Sequence, residues 1–302
     1  MANLALVGIG KIARDQHVPA LEASTDWTLA ATVSRSGTVP GVPAYTDLET
    51  CLAAHPEIDT VSLCLPPQPR FAYARAALEA GRHVMLEKPP GQSLAEVSTL
   101  AGIAGAQQRT LYASWHSRAA RAVRAARDWR STRAVTGGEI IWKEDVRRWH
   151  PGQDWVFEPG GMGVFDPGIN ALSILTEILP APVHLLSAAL SVPANRQTPI
   201  AAHLDFSGAI TAAFDWRQEG PQTWTIEIRT DDGTLKLLDG GDRLTVDGVE
   251  IAVDGPGEYP ALYARLAALT ATGASDVDLA PMIHVADALS LGRRQTVAAF
   301  HF

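Results

Sequence analysis

A chain of 302 residues, 46% hydrophobic and 19% charged, has material for two cores, and its balance excludes a disordered chain. A formal net charge of −8 excludes a general phosphate-backbone binder, so no nucleic-acid partner is expected. Apolar stretches at the N-terminus and over 178–192 are too short, or too interrupted by Pro180, Pro182 and His184, for a signal peptide or a membrane span. Cys51 and Cys64 follow no disulfide or metal-ligand spacing and suit a reducing cytoplasm.

Residues 4–7 read as a buried strand, followed by a glycine turn and a helix to about 23. Strands follow at 28–33, 61–65, 83–87 and 111–115, with helices at 48–54, 68–80 and 93–107. Strands separated by helices of about ten to fifteen residues mean right-handed βαβ units and a parallel sheet. After an Ala/Arg-rich helix at 119–133 the pattern changes to longer strands, at 135–146, 184–192, 200–206, 209–216, 224–230, 233–238 and 243–253. Asp232-Gly233 and Asp247-Gly248 are hairpin signals among them. One helix, 167–179, interrupts these strands, and helices at 259–271 and 281–297 close the chain. A mostly antiparallel sheet with helices on one face is the expected architecture of this half.

Gly8-Ile9-Gly10-Lys11-Ile12-Ala13 lies between the first strand and the first helix. Gly8 makes the turn, Gly10 lets a pyrophosphate approach the backbone amides at the helix N-terminus, and Ala13 packs helix on strand. This strand–turn–helix context favours a dinucleotide site over an ordinary turn. The second strand ends Thr32-Val33-Ser34-Arg35-Ser36, without the carboxylate that NAD sites commonly offer the ribose. Ser34 and Arg35 suit a 2′-phosphate, so NADP is the expected cofactor, with NAD also accepted. Glu87-Lys88-Pro89 follows an apolar strand, which puts Lys88 at a strand's carboxyl end, where open α/β sheets bind ligands. Beside a nicotinamide, such a lysine can polarise a substrate oxygen during hydride transfer.

With Pro66-Pro67, these motifs resemble the Gfo/Idh/MocA family of oxidoreductases over essentially the whole chain. Residues 8–17, 115–117, 142–152 and 163–172 are similar to members of that family that oxidise L-arabinose and D-galactose. The resemblance implies an α/β protein with a Rossmann domain over 1–118. A second α/β domain, over 119–302, would carry a mostly antiparallel, open-faced sheet and join a homodimer or homotetramer through it. The implied reaction oxidises an aldopyranose at C1 to the aldonolactone. Implied cofactor contacts are Gly8, Ile9, Gly10, Lys11, Ile12, Ser34, Arg35, Leu65, Pro66, Pro67, Glu87 and Lys88.

Many relatives carry a histidine base in an Asp-x-Gly-x-His pattern, but here the segment reads Asp166-Pro167-Gly168-Ile169-Asn170. Asparagine cannot act as a base near neutral pH, which leaves Asp166 and Lys88 as candidate proton acceptors. Asp166 before Pro167 would also serve as a plain helix N-cap. Asp166 and Asn170, four apart, share one helix face. His116, Glu144 and His150 can hydrogen-bond sugar hydroxyls alongside Asn170, and Trp149 and Trp224 can stack on a sugar's C–H face. The three polar residues lack paired-ligand spacing, so no metal is expected. The alternatives are another sugar or polyol, such as D-xylose or inositol, and a non-catalytic dinucleotide sensor. A sensor would have no need of Lys88 and Asp166.

Overall fold

Six short strands from the first 116 residues form one parallel sheet in the computed structural model, which describes all 302 residues. They are β1 (Ala2–Val7), β2 (Trp27–Val33), β3 (Ala44–Tyr45), β4 (Ile58–Leu63), β5 (His83–Leu86) and β6 (Leu111–Ala113), in the order β3-β2-β1-β4-β5-β6. Between them run a π-helical turn (Ala13–His17) continued by α1 (Val18–Glu22), then α2 (Leu48–Ala54), α3 (Pro67–Glu79) and α4 (Leu94–Ala106). This is the doubly wound Rossmann order, with its switch point between β1 and β4. Leu4, Ala5, Leu6 and Leu63 are fully covered, as expected for a sheet with helices on both faces. Asp47 and Ser93 cap α2 and α4, each accepting a backbone N–H three residues on.

The π-helical turn has a local cause. Pro19 has no N–H to donate and its ring crowds the carbonyl four residues back, so the helix widens just before it. Val18 N–H reaches Ala13 O instead, and His17 turns fully into the interior.

The helices continue as α5 (Val123–Arg130), α6 (Val146–Trp149), α7 (Phe165–Ile178), α8 (Glu258–Thr272) and α9 (Ala280–Leu291). The strands continue as β7 (Val135–Lys143), β8 (Leu185–Pro193), β9 (Ala201–Phe206), β10 (Ile210–Asp215), β11 (Thr223–Thr230), β12 (Gly233–Leu238), β13 (Arg243–Val246), β14 (Val249–Ile251) and β15 (Arg293–Val297). They form a nine-stranded sheet, β14-β13-β12-β11-β7-β10-β9-β8-β15, antiparallel except where β7 meets β10 and β8 meets β15. Period-two alternation gives it one apolar face. The register row Leu204, Ala212, Ile140, Ile226, Leu237 is buried, and α5, α7 and α9 pack on the sheet. The next row on the opposite face, His203, Ala213, Ile141 and Thr225, is exposed or half-buried.

Contacts divide the chain into Met1–His116 with Pro256–Leu279, and Ser117–Gly255 with Ala280–Phe302. A single division after 118 therefore misassigns Pro256–Leu279. The reason is a buried stripe on α8, Tyr259, Leu262, Tyr263, Leu266 and Leu269, that closes on the first unit. Trp27 Nε1 donates to Tyr263 O, Trp115 Nε1 to Asp278 O, and Ala113 N to Asp276 O, each at 2.9 Å.

Three element expectations are corrected. The helix over 281–297 stops at Leu291 and gives way to β15, because Gly292 sits where a Cβ would lie 2.4 Å from Ala288 O. The strand over 135–146 ends at Lys143, where Asp145 caps α6 by accepting Arg147 N–H. The strand over 243–253 breaks into β13 and β14 at Asp247-Gly248, both at positive φ, the hairpin geometry those residues favour. No helix is long and apolar enough to cross a membrane.

Candidate functional site

The carboxyl edge of the parallel sheet is held in step by one hydrogen bond per strand pair. Gly8 N donates to Val33 O, Cys64 N to Val7 O, Glu87 N to Leu63 O and Ser114 N to Leu86 O. The loops after β1, β4, β5 and β6 therefore leave the sheet side by side, flanking the switch point. Gly8 has φ +90°, and a Cβ there would lie 2.9 Å from Leu65 N, so the turn admits only glycine. At Gly10 a Cβ would meet nothing within 4 Å. The glycine pair thus leaves a cradle of open backbone at a helix N-terminus, the shape and polarity a pyrophosphate requires.

The end of β2 closes beside this turn. Ser34 Oγ accepts from Gly37 N at 3.1 Å, and a Cβ on Gly37 would lie 2.4 Å from Ile9 O. The 34–37 loop therefore packs directly on the Gly8–Ile9 turn, with Ser34 half-buried and Arg35 exposed. Leu65, Pro66 and Pro67 form the adjoining loop into α3. Arg70 of that helix, itself buried, donates to the carbonyls of Leu65, Glu87 and Pro89 and so pins both loops to one another.

Glu87 points inward, not toward a ligand. Its Oε1 accepts from Tyr259 Oη at 2.7 Å and meets His17 Nε2 at 3.2 Å, while Oε2 accepts from Lys88 N at 2.6 Å. His17 Nδ1 lies 2.7 Å from Tyr263 Oη, which donates to Ser62 Oγ at 3.3 Å. Burial favours the neutral acid at Glu87, but the hydrogen bond and charge of His17, with His116 and Tyr259, outweigh it and hold the carboxyl well below its usual range. Burial likewise opposes charge on His17, and Cys64, Tyr263 and Glu87 overcome it, raising that imidazole well above its usual value. The half-buried Lys88 thus stands next to a charged, fully hydrogen-bonded anchor.

His116 belongs to this unit. Its Nδ1 meets Glu258 Oε2 at 3.0 Å, and its ring stacks on Tyr259 at 5.7 Å. Burial works against its charge, Glu258 and Glu87 more than compensate, and its pKa is raised.

In the second unit, α7 begins two residues earlier than Pro167 suggests. Gly163 at φ +54° lets Asp166 N bond Gly163 O and Gly168 N bond Val164 O, so the helix opens at Phe165 with Val164 as N-cap. Asp166 is then a first-turn residue rather than the cap, and its carboxylate is directed elsewhere: Oδ2 lies 3.1 Å from His150 Nε2. Gly168 is the packing position, where a Cβ would touch the Phe214 ring at 3.3 Å. Asn170 is half-buried one turn on.

Indoles line this unit's polar groups. Buried Glu144 accepts from Trp216 Nε1 at 3.0 Å through Oε1 and from Trp224 Nε1 at 2.9 Å through Oε2. Trp224 stacks on Trp142 at 5.5 Å and lies 5.7 Å from the tilted, 38% exposed ring of Trp149. His150 packs edge-on against Trp216 and Trp155, at 5.3 and 6.2 Å.

The second unit thus gathers Asp166, His150, Glu144, Trp149 and Trp224, with Asn170 on the same helix as Asp166. His116 falls in the other unit, with Lys88 and Glu87. Sequence reasoning missed His17, Tyr259 and Tyr263 around Glu87, Trp216 beneath Glu144, and Gln153 and Trp155 beside His150. No local motif marks them, although His17 closes the same run that holds the glycine turn.

The chain matches the GFO_IDH_MocA model, described as an oxidoreductase family with an NAD-binding Rossmann fold, over residues 2–114. It is 44% identical to galactose 1-dehydrogenase of Pseudomonas fluorescens, over 99% of this chain and 98% of that one. The crystal structure of D-galactose-1-dehydrogenase from Rhizobium etli superposes with a TM-score of 0.95 at 52% identity, covering 99% of this chain and 97% of the other. KijD10, a 3-ketoreductase from Actinomadura kijaniata solved with NADP, shares the fold at a TM-score of 0.82 and 17% identity, covering 98% of this chain and 99% of that one. The chain belongs to the Gfo/Idh/MocA family of NAD-binding oxidoreductases.

Proposed function

We propose that this protein oxidises an aldopyranose, D-galactose or L-arabinose, at C1 to the aldonolactone, with NADP preferred and NAD accepted. The observation that carries the reading is the Asp166–His150 pair and the doubly held Glu144 carboxylate set among indoles, an apolar wall with a few convergent polar groups that suits a sugar. The identity to galactose dehydrogenases over whole chains supports it.

The Gly8–Gly10 turn with Ser34 and Arg35 would hold NAD(P)⁺, whose nicotinamide would supply the hydride acceptor for C1. Lys88 holds O1 and favours the negative charge that develops there as its proton leaves. Its backbone is fixed by Glu87 Oε2, so the ammonium works from a rigid base. Asp166 takes the O1 proton. Glu144, whose two oxygens accept indole hydrogens, can only accept from sugar hydroxyls and cannot donate to them. His116 and Asn170 complete the polar contacts, His150 stands behind Asp166, and Trp149 and Trp224 offer flat faces to the sugar's C–H edge. Ser34 and Arg35 would bind the 2′-phosphate that separates NADP from NAD. The open face of the nine-stranded sheet joins a second copy of the chain, and the protein works in the cytoplasm.

The test is reduced-nicotinamide formation from NADP and NAD with D-galactose, L-arabinose, D-xylose, D-glucose and myo-inositol, beside Lys88→Ala. Turnover of the first two sugars, faster with NADP and lowered about 10²–10³-fold in Lys88→Ala, is expected. Turnover of only xylose or inositol would move the substrate to another polyol. No turnover of any of the five would overturn the reading.

A further inference from the structure

The proton positions at Asp166 can be read from the far side of the histidine ring. Trp155 Nε1 carries a hydrogen that it can only donate, and it lies 3.1 Å from Gln153 Oε1. The indole therefore fixes the orientation of the amide, oxygen toward Trp155. The same oxygen faces His150 Nδ1 at 3.2 Å. A carbonyl oxygen only accepts, so Nδ1 carries a hydrogen, and the neutral ring is the tautomer with its lone pair on Nε2. That lone pair faces Asp166 Oδ2 at 3.1 Å. With Asp166 ionised and His150 neutral, two lone pairs oppose each other; the contact is a hydrogen bond only when one proton lies between them.

We propose that His150 is the proton store behind Asp166, a positioning residue that receives through Asp166 the proton released from O1, with Gln153 holding it in the tautomer that can do so. This rests on the sugar-oxidising reading above. The balance is complete: C1–H leaves as hydride to NAD(P)⁺, O1–H leaves as a proton to Asp166, the C1–O1 bond becomes double, and the pair gains one proton at Nε2. The His150 side chain is 21% exposed, which gives that proton a route to solvent. The arrangement accounts for a chain with asparagine at position 170: the histidine comes from the segment after α6 rather than from α7 itself. Around the ring stand Asp166 from α7, Gln153 and Trp155 from the 153–157 segment, and Trp216 after β10, whose Nε1 is held by Glu144.

The experiment combines kinetics with a readout that needs no turnover. In ¹⁵N-histidine NMR of the cofactor-free protein, His150 Nδ1 should remain protonated throughout, and its Nε2 titration should move down by about one pH unit in Asp166→Asn. With D-galactose, His150→Gln should lower kcat about 10²-fold with KM changed only a few-fold, and carry the acid limb of kcat to lower pH, since a lone carboxylate remains. Added imidazole should restore kcat of His150→Ala saturably. Gln153→Leu should lower kcat about tenfold and release Nδ1 from its fixed protonation. A His150→Gln enzyme that loses only KM, keeps the acid limb in place and gains nothing from imidazole would make His150 a sugar contact and overturn the proposal. A His150 titration unchanged in Asp166→Asn would overturn it as well. If the wild-type enzyme oxidises no aldose, the sugar reading falls, and the NMR titration alone decides whether Asp166 and His150 share the proton.

Discussion

Glu144 illustrates how much a single side chain depends on what it cannot do. A carboxylate accepts at both oxygens, and here each oxygen has an indole hydrogen, from Trp216 and Trp224. In Glu144→Gln one oxygen becomes an NH₂, so one indole N–H must face another donor. Trp216 is fully buried and cannot turn to water, so the loss is that of a buried unsatisfied group, about 1–3 kcal/mol. Urea melts should show it, and Trp224→Phe in the same background should recover most of it, because the amide can then turn its oxygen to Trp216. A Glu144→Gln protein as stable as wild type would refute the two-indole clamp. At this scale the motifs with short-range logic are legible in the sequence. Gly8 is demanded by its own turn, and Lys88 by its place after a strand. Asp166 shows the limit: Asp-Pro reads as an N-cap, but a glycine three residues earlier starts the helix sooner and frees the carboxylate for His150.

Elements meet at Glu87. The π-helical turn brings His17, the end of β5 brings the carboxylate, and α8 brings Tyr259 and Tyr263 from the far end of the chain. Removing one partner of such a pair strands the other's charge in the interior, so Glu87→Gln should destabilise the protein by about 3–5 kcal/mol. The sign with pH follows from the two shifts. Glu87 is depressed in the folded state, so its contribution is complete above its ordinary value of 4.5 and is lost as pH falls through the lower folded value. His17 is raised, so its contribution is complete below 6.5 and is lost only as pH rises through the higher folded value. The gap in urea midpoint between wild type and Glu87→Gln should therefore be widest between those limits, persist at neutral pH, and narrow below pH 4.5. A constant gap across acid pH would mean that Glu87 is not the ionised partner. The widened turn at His17 follows locally from Pro19, but nothing near Glu87 in the sequence marks Tyr259 and Tyr263, which arrive from α8. The end of α9 is not legible either, because the only turn signal before Arg293–Val297 is Gly292, whose role depends on close contact with Leu190 of β8.

For the whole molecule, alternation did most of the work: βαβ periodicity announced the parallel sheet, and strand alternation announced the second one. What periodicity cannot announce is membership, since α8 has the same amphipathic stripe whichever unit it covers. The nine-stranded sheet raises the remaining question of what its second face is for. Across that face runs the row His203, Ala213, Ile141, Thr225, small or uncharged at its centre, with Asp215 and Lys143 on one side and Asp205, Glu139, Glu227 and Lys236 on the other. For the second copy proposed to join this face, a strip apolar in the middle and mixed in charge at the margins would pair with itself about a two-fold axis, in a contact of about 800 Å² per partner. Under that symmetry a residue at the row's centre meets its own copy. Ala213→Arg then forces two long cationic side chains into the centre of the contact, where they overfill it and repel each other. Light scattering should give wild type at a multiple of 32.2 kDa and Ala213→Arg at 32.2 kDa itself. Because position 213 points away from the buried row that supports α7, the variant should retain its fold and its sugar oxidation. A wild-type protein that is already monomeric, or an Ala213→Arg protein of undiminished mass, would leave the open face without the partner proposed for it, and the charged rows at its margins would then be solvated surface alone.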